Sequence, residues 1–285
     1  MADVAGSARA QTGSRMHSLV VPREHGGWGM LLIPLMTGAL AGVPQAHALR
    51  DLLLFAVVSL SLFWLRTPLE ALMGIGAIRA YTREERRAVL RAIAALLPIA
   101  TLSGAALVWG GRNQGLFLLA AIAGASLVAQ HSLRRLGRKT RAAAQMAGAI
   151  GLCSTAAGAF YVVTGVMDKR ALALWFACWL FSCDQIHYVH LRIQNARTTG
   201  APDRLSVSGR FLVGQILMLI AVALASLRGF LPSLAILAFL PVFFRAVFWL
   251  VEEGENLNVR WLGMTELMQG ISFGVLLITT FHVHF

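Results

Sequence analysis

The chain has 285 residues, of which 57% are hydrophobic and 13% are charged. Soluble domains contain about 25% charged residues, so this composition excludes an ordinary soluble protein and indicates an integral membrane protein. The formal net charge of +12 is a feature of many nucleic-acid-binding proteins. Here the basic clusters have no soluble domain to organise them, and we expect no nucleic-acid partner.

The first residues of the chain are small and polar. Residues 1–18 contain no apolar core of the kind that a cleavable signal peptide needs. We expect residues 1–20 to form a disordered cytoplasmic arm. The remainder, residues 21–285, has no long linker and no detectable internal repeat, which indicates one transmembrane domain.

The apolar residues of this domain fall into nine continuous stretches, each long enough to cross about 30 Å of hydrocarbon as a helix. Their approximate limits are 26–43, 52–69, 89–109, 115–131, 143–166, 171–191, 211–227, 231–251 and 262–281. They are rich in Ala and Leu and lack the alternation of a membrane β-strand. We therefore expect an all-α, polytopic protein with nine transmembrane helices, called here spans one to nine.

Lys and Arg residues are concentrated on alternate connections between these spans. Of the 25 basic residues, 19 lie in the N-terminal arm and in the second, fourth, sixth and eighth connections, five lie in the other connections, and Arg245 lies within span eight. Because basic residues accumulate on the cytoplasmic side, this pattern predicts a cytoplasmic N-terminus and an external C-terminus. The same residues would attract the headgroups of anionic membrane lipids.

Span one opens with the motif Pro22-Arg-Glu-His-Gly-Gly-Trp-Gly-Met30. Its glycines would let the backbone come close to a ligand or to a neighbouring helix. Glu24 and His25 are therefore candidate binding residues. A purely structural entry turn is the alternative interpretation.

Near the end of span two, Arg66 and Glu70 lie one helical turn apart on one face. They are candidate substrate-binding residues on the cytoplasmic side. The competing interpretation is an ion pair between residues i and i+4 that satisfies itself at the membrane interface.

The end of span six carries a dense group of polar residues at membrane depth. A charge there costs roughly 2.5–3.5 kcal/mol and therefore points to a function. One sector of the helix, roughly 120° wide at 100° per residue, contains Asp184, His187, Tyr188, Leu191, Gln194 and Asn195. We take Asp184 and His187 as catalytic candidates, and Tyr188, Arg192 and Asn195 as substrate-binding candidates.

The alternative is that these buried charges only neutralise one another. Asp184 would then pair with a neighbour such as Arg66, with the histidines at headgroup level. Glu266 in span nine also needs a partner, for which Arg245 in span eight is the first candidate. The three cysteines lie within spans without CxxC spacing, so we expect inert thiols and no metal cluster.

Span five contains the spacing of small residues that brings helices close together. The pairs are Ala144/Gly148, Ala147/Gly151 and Ser154/Gly158. This pattern predicts a helix at the centre of the bundle.

The segment Pro22-Arg-Glu-His-Gly-Gly-Trp-Gly-Met-Leu-Leu-Ile-Pro34 resembles the opening signature of the YwiC-like family of bacterial membrane proteins. That signature has the pattern P-x-E-H-G-x-W-x-M-L-L-x-P. The likeness extends to the Arg66-Thr-Pro68 turn and to the Gly263-x-x-Glu266 element. The resemblance implies a membrane protein but no particular biochemical activity.

Nine spans with polar motifs at the ends of spans two and six also resemble the UbiA superfamily of membrane prenyltransferases. That resemblance implies a UbiA-like helical bundle in which two Asp-rich motifs hold a prenyl diphosphate through Mg²⁺. Residues 66–70 would replace the first motif and residues 184–195 the second, with one carboxylate in each. One carboxylate per motif is few ligands for Mg²⁺, and arginine could contact phosphate directly instead. The cofactor is therefore left unassigned.

The sequence supports two classes of function. The first is a prenyltransferase-like protein that binds an isoprenoid, a quinone-like lipid or another anionic amphiphile in a cytoplasmic-side pocket between spans two and six. The second is a non-catalytic membrane protein, either a lipid or cofactor binder or an accessory to a respiratory complex. A transporter fits less well, because the external side has few polar residues. The oligomeric state is open.

Overall fold

The computed structural model describes residues 15–22, 25–42, 48–75, 78–111, 113–195, 201–251 and 259–284. Within these ranges the chain is helical and contains no β-strand. The longer α-helices are α1 (His25–Ala41), α2 (Leu49–Met73), α3 (Arg83–Trp109), α4 (Asn113–Arg135), α5 (Arg141–Thr164), α6 (Lys169–Asn195), α7 (Ala201–Leu227), α8 (Ile236–Val251) and α9 (Val259–His284). Short 3₁₀ turns, Arg138–Thr140 and Ser233–Ala235, precede α5 and α8.

Each of the nine apolar stretches falls on one of these helices, so the all-helical, multi-pass character of the protein is confirmed. Five helices are long and apolar enough to cross a membrane: α2, α3, α4, α5 and α9. Shorter apolar segments occur in α1, α7 and α8. Helix α6 is in neither group, because the polar residues in its second half lower its hydropathy. Nine complete membrane crossings therefore stay a prediction.

Contacts within the chain group it into two compact units, which are Met1–His25 with Arg50–Gly111, and Gly26–Leu49 with Arg112–Phe285. The single domain expected over residues 21–285 stays a prediction.

In the first unit, the chain before α1 packs against α2 and α3. Residues 15–20, expected to belong to a disordered arm, form a short helical segment whose Leu19 is fully buried with Val89. Trp64 of α2 donates a hydrogen bond to the carbonyl of Val20 at 2.8 Å. Residues 1–14 lie outside the described residues, and for them the expectation stays untested.

In the second unit, α5 lies at the centre, as its small residues predict. It packs against α4 and α6. In its apolar 18-residue stretch 72% is buried, compared with 11–28% in the corresponding stretches of the other four long apolar helices. At Gly38 of α1, an added Cβ would lie 2.7 Å from the carbonyl carbon of Ala156. A close approach of this kind requires glycine.

Aromatic residues fill the core between α5, α6, α8 and α9. Phe181 and Phe273 stack with ring centroids 4.1 Å apart, and Phe239 meets Phe273 edge to face at 5.2 Å. Two tryptophans of α6, Trp175 and Trp179, donate hydrogen bonds to backbone carbonyls of α5 at 2.9 and 3.1 Å. These contacts fix the rotation of α6 about its axis and hence the direction in which its polar residues point.

Candidate functional site

Asp184 of α6 lies at the centre of a buried polar group in the second unit. Its side chain is only 5% exposed, and its Oδ2 atom is 2.8 Å from Nη2 of Arg245 on α8. A buried carboxylate without a partner would be strongly destabilising at membrane depth. The ion pair explains how the chain tolerates this charge.

Arg245 joins three helices. Besides Asp184, its guanidinium contacts Glu266 of α9, with Nη1 at 2.5 Å from Oε1. The guanidinium carbon lies 3.9 Å from the ring centroid of Tyr188, which is a cation–π distance. The pairing of Arg245 with Glu266 is confirmed, and the suggested Arg66 partner for Asp184 is replaced by Arg245.

Two glutamines extend this group. Gln215 of α7 is 1% exposed and donates a hydrogen bond from Nε2 to Oδ1 of Asp184. Gln185 of α6 donates to the backbone carbonyl of Glu266 at 2.9 Å. We call Asp184, Tyr188, Gln215, Arg245 and Glu266 the Arg245 cluster.

Four buried polar atoms in and beside the cluster have no hydrogen-bond partner within the described part of the chain. Three are acceptor oxygens and one is a donor. They are Oε1 of Gln215, Oε2 of Glu266, Oε1 of Gln269 and Nε of Arg245. Buried polar atoms are nearly always paired in native proteins, so atoms of this kind indicate where a further polar group can bind.

The two histidines of α6 have different surroundings. His190 shares a 2.5 Å hydrogen bond with the side-chain amide of Gln145 on α5. His187 is half-buried and meets the ring of Phe211 edge to face, with centroids 5.4 Å apart. A Cβ at Gly214 of α7 would lie 3.3 Å from Nδ1 of His187. His187 is therefore closely packed rather than open on this side.

An apolar pocket lies beside the Arg245 cluster, between α1, α6 and α9. Its cavity has a volume of about 10 Å³, which is room for about one water molecule, and it is lined by Gly29, Met30, Ile33, Pro34, Cys178, Phe181, Ser182, Gln185 and Phe273. Gln185, the sequence neighbour of Asp184, provides its amide. The pocket brings the glycine-rich opening of span one together with α6, a juxtaposition that the sequence pattern did not reveal.

The other predicted site residues are distributed differently. Arg66 and Glu70, in the first unit, form the i,i+4 ion pair at 2.7 Å that was the competing interpretation. Arg192 lies half-buried on α6. Glu24 lies outside the described residues, as do the side chains of His25 and Asn195. A joint site of the Arg66 pair with α6 stays a prediction.

The carboxylates of the Arg245 cluster do not fit a Mg²⁺ site. Mg²⁺ needs free carboxylate oxygens in near-ideal octahedral geometry, whereas both oxygens of Asp184 and one of Glu266 are held by Arg245 and Gln215. Among the described residues, no group of three or more His, Cys, Asp or Glu side chains could hold a metal ion. The described cysteines are free and show no ligand grouping.

Sequence reasoning found Asp184, Tyr188, Arg245 and Glu266 because each is polar or charged in an apolar stretch. It missed Gln215, whose signal was a lone amide in span seven. An amide costs less than a charge in a membrane, so that signal is weak.

Comparison with known proteins gives one match. The model of the YwiC-like protein family matches residues 21–161, from the opening of span one to Tyr161 in α5. No curated protein and no solved structure matches the chain. The Arg245 cluster lies beyond the matched segment, whereas four lining residues of the apolar pocket lie within it. Over residues 21–161, just under half of its length, the chain is therefore similar to the YwiC-like family.

Proposed function

We propose that this membrane protein binds an isoprenoid or quinone-like amphiphile on the polar face of α6. The observation that carries the proposal is the contact of an apolar pocket with a buried, incompletely paired polar cluster through Gln185. Binding sites of this kind combine a mainly apolar lining with a few convergent polar groups. A lipid whose head is polar and whose tail is apolar has the matching chemistry.

The family signature supports the same location. Met30 and Pro34 belong to the signature and line the pocket, together with Gly29 at one of its open positions. At Gly29 an added Cβ would find its nearest atom, Cδ1 of Ile33, at 3.9 Å. The glycine thus leaves open space on the pocket wall, which a ligand could use.

In the enzymatic form of the proposal, the protein is a UbiA-like prenyltransferase relative acting on the cytoplasmic side of the bacterial inner membrane. The substrate-binding residues would then be Arg66, Glu70, Tyr188, Arg192, Asn195, Glu24 and His25. Asp184 and His187 would be the catalytic groups, and His187 would transfer the proton. The positive-inside distribution of Lys and Arg supports the cytoplasmic placement.

The second candidate is a non-catalytic lipid or cofactor binder, or an accessory to a respiratory complex. It is favoured by the ion pairs of the Arg245 cluster, because a carboxylate that is held by a guanidinium and an amide is poorly available as a general base. Substitution of His187 separates the two forms. His187→Ala should abolish an enzymatic function and leave lipid binding by an accessory protein largely intact.

Lipid mass spectrometry of protein purified in mild detergent tests the proposal. We expect a retained isoprenoid or quinone-like lipid in the native protein and its loss in Gly29→Leu, whose side chain would fill the pocket. The matched control is Gly26→Leu, one turn earlier on α1, where the position is exposed and a Cβ meets nothing within 4 Å. Absence of any such lipid, or equal retention by both variants, would contradict the proposal.

A further inference from the structure

We infer that the Arg245 cluster takes an uncharged head group that donates hydrogen bonds, such as a prenyl alcohol or a hydroxylated ring, and disfavours a diphosphate. This inference rests on the proposed function and narrows its ligand class. The charges of the cluster, its unpaired atoms and the size of the adjoining pocket each support it.

The charges of the cluster leave no positive surplus for a multivalent anion. Arg245 is shared between two carboxylates, those of Asp184 and Glu266, at 2.8 and 2.5 Å. Arg192 of α6 is near enough to Glu266 to act on it electrostatically. With Arg192 included, the two guanidinium groups and the two carboxylates have a net charge of zero. A diphosphate would have to displace a carboxylate from Arg245, leaving that carboxylate buried and uncompensated.

The unpaired atoms include more acceptors than donors, so they favour a ligand that can donate a hydrogen bond. Three buried oxygens, one each on Gln215, Glu266 and Gln269, have no hydrogen-bond donor within the described residues. One buried nitrogen, Nε of Arg245, has no acceptor there. Glu266 and Gln269 are three residues apart on α9 and therefore face the same way. A hydroxyl both donates and accepts, so it can serve a carboxylate or amide oxygen and the guanidinium at once. Phosphate oxygens only accept.

The adjoining pocket limits the size of the group that can enter it. Its cavity has a volume of about 10 Å³, which is room for about one water molecule, whereas drug-sized ligands occupy sites of roughly 300–1,000 Å³. Its lining is mainly apolar, with Phe181 and Phe273 on two helices. A hydroxyl fits this space and a diphosphate does not, and the ring or chain that carries the hydroxyl would lie in lipid.

Binding of two matched probes to the purified full-length protein in lipid nanodiscs tests the inference. The probes are farnesol and farnesyl diphosphate, which share one chain and differ in the head. We expect farnesol to bind at least tenfold more tightly. Gln269→Leu should weaken farnesol binding about tenfold, as expected for one lost hydrogen bond to a buried acceptor.

Gln130→Leu is the matched control, because Gln130 of α4 is also buried and also has an unpaired Oε1, yet lies outside the cluster. Gln269→Asn, which keeps the amide acceptor without adding a charge, guards against misfolding and should retain part of the farnesol binding. Tighter binding of the diphosphate would overturn the inference while leaving the proposed function standing. Unchanged farnesol binding in Gln269→Leu would mean that only water forms hydrogen bonds with these atoms. That result would also overturn the inference. Failure of both probes to bind would overturn the inference and the proposed function together.

Discussion

Nη2 of Arg245 lies 2.8 Å from Oδ2 of Asp184, and both side chains are more than nine-tenths buried. The contact connects α8 to α6 within the second unit. Because the same guanidinium holds Glu266 of α9, three helices share one cation. Ion pairs at membrane depth are costly to build and costly to break, so this cation fixes the mutual arrangement of these helices.

Removal of that cation should destabilise the protein strongly. Arg245→Leu leaves two buried carboxylates uncompensated, and we expect a loss of about 3–5 kcal/mol of folding free energy, seen as a lower thermal midpoint in detergent and reduced membrane yield. Arg245→Lys should cause a smaller loss of folding free energy than Arg245→Leu. It should still be less stable than the native protein, because an ammonium lacks the planar fork that binds two carboxylates at once. The exposed Arg228 is the control, and Arg228→Leu should change the midpoint little. A stable Arg245→Leu protein would show that the cluster contributes little to folding.

Gly38 of α1 should be intolerant of any side chain. A Cβ there would meet the backbone of Ala156 on α5, 2.7 Å from its carbonyl carbon, and backbone cannot move aside as a flexible side chain can. We expect Gly38→Ala to cost about 1–3 kcal/mol through forced separation of the two helices. Gly26→Ala, on the exposed face of the same helix, should be neutral or slightly stabilising. Equal midpoints for the two variants, measured by thermal unfolding in detergent, would contradict this packing.

The apolar stretches predicted the helices because burial in lipid demands continuous hydrophobic runs with internally paired backbones. Small residues in span five likewise predicted the central position of α5. The partner of Asp184 could not be predicted in this way. Periodicity gives the face on which a residue lies, but it does not say which helix covers that face. The sequence suggested Arg66 as the partner of Asp184, whereas the packing of α6 and α8 brings Arg245 to it.

The apolar pocket was hidden from sequence for a related reason. Its walls come from α1, α6 and α9, which are far apart in the chain. The glycines of span one suggested a close approach of some kind, without the identity of the neighbour. Gln185 lies beside Asp184 in sequence, and periodicity does not indicate that its amide donates a hydrogen bond to the backbone of Glu266.

Membrane orientation can be tested with single cysteines at exposed loop positions. Lys139 lies in the fourth connection and Arg228 in the seventh, and both side chains are exposed. If the positive-inside pattern sets orientation, Lys139→Cys should react with a membrane-impermeant maleimide only in inverted vesicles, and Arg228→Cys only in intact spheroplasts. Cys153 and Cys178 are buried and give a low background, and the half-buried Cys183 is replaced by Ser in both variants. Reaction of both variants from the same side would refute the predicted topology between these loops.

The start of α6 provides a pH-dependent prediction outside the membrane-spanning segments. Asp168 accepts hydrogen bonds from the backbone N–H groups of Arg170 and Ala171, at 2.9 and 3.2 Å, and from Nε of Arg170 at 2.8 Å. Partial burial raises the pKa of Asp168, but the hydrogen bond from Arg170 and those from the backbone outweigh it, so the pKa is lowered. The ionised carboxylate therefore stabilises the first turn of the helix.

Because the folded-state pKa is below the unfolded value, this stabilisation is present above the unfolded pKa and is lost as the pH falls through the folded pKa. Asp168→Ala should cost about 1 kcal/mol at pH 7, the usual effect of removing such a cap. The difference in thermal midpoint between the native protein and the variant should shrink progressively in acid. The same measurement on Asp51→Ala provides a comparison, because Asp51 is a half-buried carboxylate in the first turn of α2. A midpoint difference for Asp168→Ala that stays constant from pH 7 into acid would show that the contribution of Asp168 does not depend on its charge.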